Sequence, residues 1–86
     1  MSLTYDMHDG KIYPIFKCDF CGWPIFGGST VVFRNGNIEI LHNSCWLSYL
    51  DQNPDALDCI TTSLGILLDS LRENTVRGKY VFVNKA

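Results

Sequence analysis

The chain has 86 residues, of which 47% are hydrophobic and 19% charged, a balance that excludes an intrinsically disordered chain. Seven basic residues against nine acidic ones give a formal net charge of −2, which removes the basis for a broad electrostatic grip on nucleic acid or anionic lipid. A chain this short buries only roughly 60–65% of the surface exposed when unfolded, so its core is marginal and a staple is expected, whether disulfide, metal or partner chain.

Asp9-Gly10 is a turn signal between two short β-like stretches. Residues 11–17 (KIYPIFK) are apolar and aromatic, and Pro14 within them predicts an edge or interrupted strand. The paired Gly27-Gly28 predict a turn or a close backbone approach. Residues 30–34 and 37–41 read as two strands joined by Asn35-Gly36, a strong hairpin signal because both residues tolerate positive φ. Residues 44–52 predict a short helix with Asn43 as its N-cap. Asn53-Pro54 predicts the start of a longer helix, with Leu57, Ile60, Leu64, Leu67, Leu68 and Leu71 as one core-facing stripe. Asp55 and Asp58 near its start and Arg72 near its end suit the helix dipole. Residues 79–83 (KYVFV) predict a closing strand. The expected fold class is therefore α+β, a single domain over 1–86 with a finger-like part at about 18–52 and a helix–strand extension at about 53–86.

The cysteines point to the staple. Cys18 and Cys21 form a C-x-x-C pair, and His42 and Cys45 an H-x-x-C pair, with twenty residues between. This C-x2-C-x20-H-x2-C layout fits two-pair zinc spacing. Structural zinc takes four tetrahedral Cys and His ligands, and ligands three positions apart can turn toward one ion. Gly22 follows the second cysteine, where a knuckle needs a permissive backbone. The predicted hairpin carries the chain from one pair to the other, and Cys45 falls in a helical first turn, where the dipole favours a thiolate. The competing readings are a disulfide framework, a redox C-x-x-C and unrelated buried cysteines. No secretory signal supports the first, and no βαβ context the second. Cys59 is expected as a small buried hydrophobe in the helix, and His8 as a solvated turn residue. These two are the reserve ligands.

A knuckle, a hairpin and a helix start carrying the second ligand pair resemble a treble-clef zinc finger. Cys18, Cys21, His42 and Cys45, with Trp46 after the last of them, also look like the first zinc module of a LIM domain. The resemblance covers residues 18 to about 50, and Leu47-Ser48-Tyr49-Leu50 offers no second ligand quartet. It implies one structural Zn2+ per chain and a platform for protein–protein contact. Some treble clefs bind nucleic acid.

Four filled coordination positions leave no open site for water or substrate, and no other nucleophile–base set stands out, so a non-enzyme is expected. Phe20, Trp23, Phe26 and Trp46 surround the proposed ligands as a miniature core, with one or two rings left bare for contact. The expected partner is another protein or a second copy. The alternative is a nucleic-acid-binding finger using Arg72, Arg77, Lys79 and Lys85. No apolar run approaches the ~20 residues of a membrane span, and the first ten residues lack the features of a signal peptide. The expected location is cytoplasmic.

Overall fold

The fold is that of a computed structural model, which describes residues 2–83. It is α+β, with two antiparallel three-stranded sheets and two α-helices among the described residues. None of its helices is long and apolar enough to cross a membrane.

Strands β1 (Ser2–His8) and β2 (Lys11–Lys17) form the first hairpin, and short β3 (Pro24–Ile25) pairs with the far end of β2. Asp9 (φ 53°) and Gly10 (φ 75°) both take the left-handed region, the two-residue turn whose twist matches that of the strands. Pro14 is tolerated for a visible reason. It lies opposite Tyr5 of β1, while β3 reaches only Phe16 and Lys17, so at Pro14 the strand has a neighbour on one side alone.

The second sheet is built on β4 (Ser29–Arg34) and β5 (Asn37–His42), joined through Asn35 (φ 52°) and Gly36 (φ 79°) as the sequence predicts. A turn of 3-10 helix (Asn43–Cys45) runs into α1 (Trp46–Gln52). Asn43 is not a cap. Its Oδ1 instead accepts from Thr30 Oγ1 at 2.8 Å, and its Nδ2 lies 3.2 Å from where a Cβ on Gly28 would stand, a close approach in which any larger residue would press on the amide.

The long helix expected from Pro54 is overturned. Pro54–Asp58 is a 3-10 helix, Ile60–Ser63 is strand β6, and the helix proper, α2, spans Leu64–Thr75. Three consecutive β-branched residues, Ile60, Thr61 and Thr62, prefer extended backbone, and β4 offers an open edge to receive them. Sheet order is thus β5-β4-β6. Ser63 then caps α2, its Oγ accepting from the Ile66 N–H at 3.3 Å. Asp55 and Asp58 consequently lie outside α2, whereas Arg72 does sit in its last turn. The leucine stripe breaks accordingly. Leu67 is buried and Leu64 packs against the core, but Leu57, Ile60, Leu68 and Leu71 are exposed.

The closing strand is also corrected, since residues 79–83 pair with no strand. Gly78 (φ 68°) turns the chain, and the side-chain amide of Asn74 captures the backbone of Val81. Asn74 Oδ1 accepts from its N–H at 2.7 Å, and Nδ2 donates to its carbonyl at 3.1 Å.

The core is Cys18, Ile25, Val31, Val32, Ile40, Leu41, Tyr49, Ala56 and Leu67. Adjacent residues of a strand face opposite ways, so burial of both Val31 and Val32, and of both Ile40 and Leu41, means the β4–β5 hairpin is covered on both faces. Arg34 locks the packing across elements. It forms a two-pronged contact with Asp55 (2.8 and 3.3 Å) and reaches the Tyr49 hydroxyl at 3.4 Å and Glu39 at 3.6 Å. The hydrogen bonds to Asp55 and Tyr49 raise the guanidinium further above its ordinary range, and the same bond holds the Asp55 carboxyl below its own.

Candidate metal centre

The knuckle begins where β2 ends. The Cys18 N–H donates to the Trp23 carbonyl (2.9 Å) and the Gly22 N–H to the Cys18 carbonyl (2.9 Å), with Gly22 at φ 81°. Asp19 fastens this loop to β5 through both backbone and side chain. Its N–H donates to the Ile40 carbonyl (2.8 Å), and its carboxylate accepts from the Ile40 N–H (2.7 Å). The tip of the knuckle is thus held against the end of β5, where His42 stands. Cys45 follows in the 3-10 turn.

The result is convergence. The Sγ atoms of Cys18, Cys21 and Cys45 and a ring nitrogen of His42 all lie within 4.8 Å of one another. His42 Nδ1 is 3.3 Å from Cys21 Sγ and 3.8 Å from Cys45 Sγ. Two ligands bonded tetrahedrally to one zinc, at about 2.3 Å for sulfur and 2.05 Å for nitrogen, stand about 3.6 Å apart, between those two values.

The surroundings prepare each group for a cation. His42 Nε2 lies 3.0 Å from the Pro24 carbonyl. A carbonyl can only accept, so Nε2 carries the proton and Nδ1 presents its lone pair to the cluster, the outer contact that metal-bound histidines use. Cys18 Sγ accepts from three backbone N–H groups, those of Phe20 (3.4 Å), Cys21 (3.5 Å) and His42 (3.4 Å). Burial alone pushes the Cys18 thiol up. The N–H groups of Cys21, His42 and Phe20, with the Cys21 side chain, outweigh it and bring the thiol down to about 6. Cys45 behaves oppositely. Burial, then the sulfurs and charges of Cys18 and Cys21, push it up to about 11. Thiolates crowded together repel, and a shared dication relieves that repulsion.

None of the four cysteines is joined to another by a disulfide in this structure. Cys18 is buried, Cys21 exposed, and His42 and Cys45 half-buried. The reserve residues lie elsewhere. Cys59 is in extended backbone just before β6 rather than in a helix, half-buried, with its Sγ 3.6 Å from the Asp55 carbonyl. His8 packs its ring on Tyr13 at the exposed end of the first hairpin. The four aromatic residues divide. Phe20 and Trp46 pack against the core, Trp46 also stacking on Tyr49, while Trp23 and Phe26 are 73% and 77% exposed.

Three contributors escape sequence reasoning: the Pro24 carbonyl behind His42, the N–H fan around Cys18, and the Asp19 clamp. The first two are backbone groups and leave no signature in residue type. Asp19, lying between the two knuckle cysteines, is the only one a sequence could have flagged. Comparison with protein-family models, with curated proteins and with solved structures finds no match.

Proposed function

We propose that Cys18, Cys21, His42 and Cys45 hold one Zn2+ as a folding element, in a treble-clef, LIM-like finger that serves as a protein-interaction module rather than an enzyme. The observation that carries this reading is the convergence of three sulfurs and the His42 Nδ1, whose lone pair is free for an ion because the ring proton on Nε2 faces the Pro24 carbonyl. Three thiolates and one imidazole complete a tetrahedral shell, which suits a structural ion. The order of knuckle, β4–β5 hairpin and helical turn carrying the fourth ligand is the order such fingers share. A reducing compartment such as the cytoplasm keeps the thiols available to metal.

The partner in this reading is another protein or a second copy, contacted through bare rings such as Trp23 and Phe26. The nucleic-acid alternative is weakened by pairing. Glu73 sits 3.4 Å from Arg77 and 3.6 Å from Lys79, which offsets part of the basic cluster, and Lys85 lies outside the described residues.

The test is chelation followed by circular dichroism and by pull-down from an extract. Zinc removal should loosen the finger and abolish capture of a stoichiometric protein. A fold unchanged by complete metal removal contradicts the structural role. Tight, steeply salt-dependent binding of nucleic acid with no protein captured contradicts the interaction role.

A further inference from the structure

The first hairpin projects an incomplete surface. The radius of gyration, 14.0 Å, exceeds the ~12 Å of a compact chain of this length. On one face of β1, Leu3, Tyr5 and Met7 are 64%, 59% and 58% exposed, and Ile12 across from Met7 is 63% exposed. At its base the same face meets the core through half-buried Phe16 and buried Ile25. The core's apolar face therefore continues outward along a two-stranded ribbon, a structure marginal by itself in water.

The outer edge of β1 is also open among the described residues, since the sheet order is β1-β2-β3. The two-residue turn makes His8 and Lys11 a hydrogen-bonded pair, and alternation along the ladder then directs the N–H and carbonyl groups of Leu3, Tyr5 and Met7 away from β2. Exposed edges are normally blunted by lysine, proline, a bulge or brevity. Over its seven residues β1 has no lysine, no proline and no bulge, whereas in the second sheet one edge, β6, is four residues long and the other, β5, is covered at Ile40 by the Asp19 backbone and carboxylate.

We propose that β1 pairs with β1 of a second copy, antiparallel about a twofold axis at Tyr5. This deepens the interaction-module reading by naming its partner. Tyr5 is the midpoint of Ser2–His8, so this register overlaps the whole strand. It brings the outward N–H and carbonyl groups of Tyr5 onto those of its mate, and those of Leu3 onto Met7. The same pairs bring apolar side chains together on one face. On the other face Asp6 meets Thr4, so no like charges are opposed. Centring on Asp6 instead would set two carboxylates directly opposite.

Two experiments test the pairing on the zinc-loaded chain. Tyr5→Cys places two thiols across the axis with Cα atoms about 5.5 Å apart, within disulfide reach, whereas His8→Cys separates them by roughly 20 Å. Mild oxidation should convert most of the Tyr5→Cys protein to a covalent dimer and leave His8→Cys at the background of the wild type. Separately, sedimentation should show wild-type dimers that dissociate on dilution. Tyr5→Lys and Tyr5→Glu alone should each weaken dimerisation at least tenfold, and mixing them should restore it. A monomer at every concentration, equal cross-linking at both positions, or a dimer indifferent to Tyr5→Lys each overturns the proposal. Zinc content is read on every variant. One zinc per chain in a monomeric protein rejects the pairing alone, while absence of zinc from the wild type rejects the metal reading.

Discussion

Cys18 and Cys45 stand at opposite ends of one electrostatic problem. Three N–H groups make Cys18 a thiolate near neutral pH, with its thiol brought down to about 6, whereas burial and its sulfur neighbours keep Cys45 protonated up to about 11. A metal must therefore expel the Cys45 proton when it binds at neutral pH. The sign follows: protons compete with the ion, so affinity rises with pH above 6 and falls more steeply below it, where Cys18 also protonates. Calorimetry at pH 7.5 in two buffers of different ionisation enthalpy should report release of at least one proton per zinc. Substitution should discriminate among the cysteines just as sharply. Cys18→Ser or Cys45→Ser should cost roughly 3 kcal/mol or more of zinc-dependent stability, and Cys59→Ser under about 1 kcal/mol, by chemical denaturation. Equal losses at all three positions would contradict the assignment.

At the scale of elements, legibility depended on how local the cause was. The Asp9-Gly10 and Asn35-Gly36 turns were readable because positive φ is a property of those residues themselves. From Pro54 to Ser63 the apolar spacing mimics a helical stripe, but Pro54–Asp58 is a 3-10 helix and Ile60–Ser63 is held extended by the edge of β4, about thirty residues earlier in the chain. The three β-branched residues were the available warning. Residues 79–83 have high β propensity but pair with no strand, and the Asn74 side chain holds the Val81 backbone instead. The cap of α2 gives this corrected boundary a test. Ser63→Ala should destabilise the protein by about 1 kcal/mol, and Ser63→Asp should recover most of that, since both Ser and Asp accept from the helix N-terminus. A neutral Ser63→Ala would place the helix start elsewhere.

At the scale of the molecule, the small core makes the metal cluster matter. The nine buried hydrophobic residues among those described include Cys18 itself, so the cluster and the core are one packing unit. The candidate site was legible as four residues because ligand spacing survives in sequence, and the fold brings those four together. What sequence could not supply was the backbone cradle, whose N–H donors come from the knuckle itself and from His42 at the end of β5, and whose carbonyl comes from Pro24 in β3. Arg34 extends the unit by joining β4, β5, α1 and the 3-10 segment after it. Arg34→Ala should lower the melting temperature by about 2–5 °C while zinc stoichiometry stays at one, as measured by thermal denaturation and metal analysis. Loss of zinc in that variant would mean that the tie, rather than the knuckle, positions the ligands.

The most direct test of the central claim is native mass spectrometry of the purified chain, without chelator or added metal. The account predicts one zinc per chain bound to fully reduced cysteines. A metal-free chain lighter by a pair of hydrogens would contradict it, because two of the four cysteines would then be a disulfide.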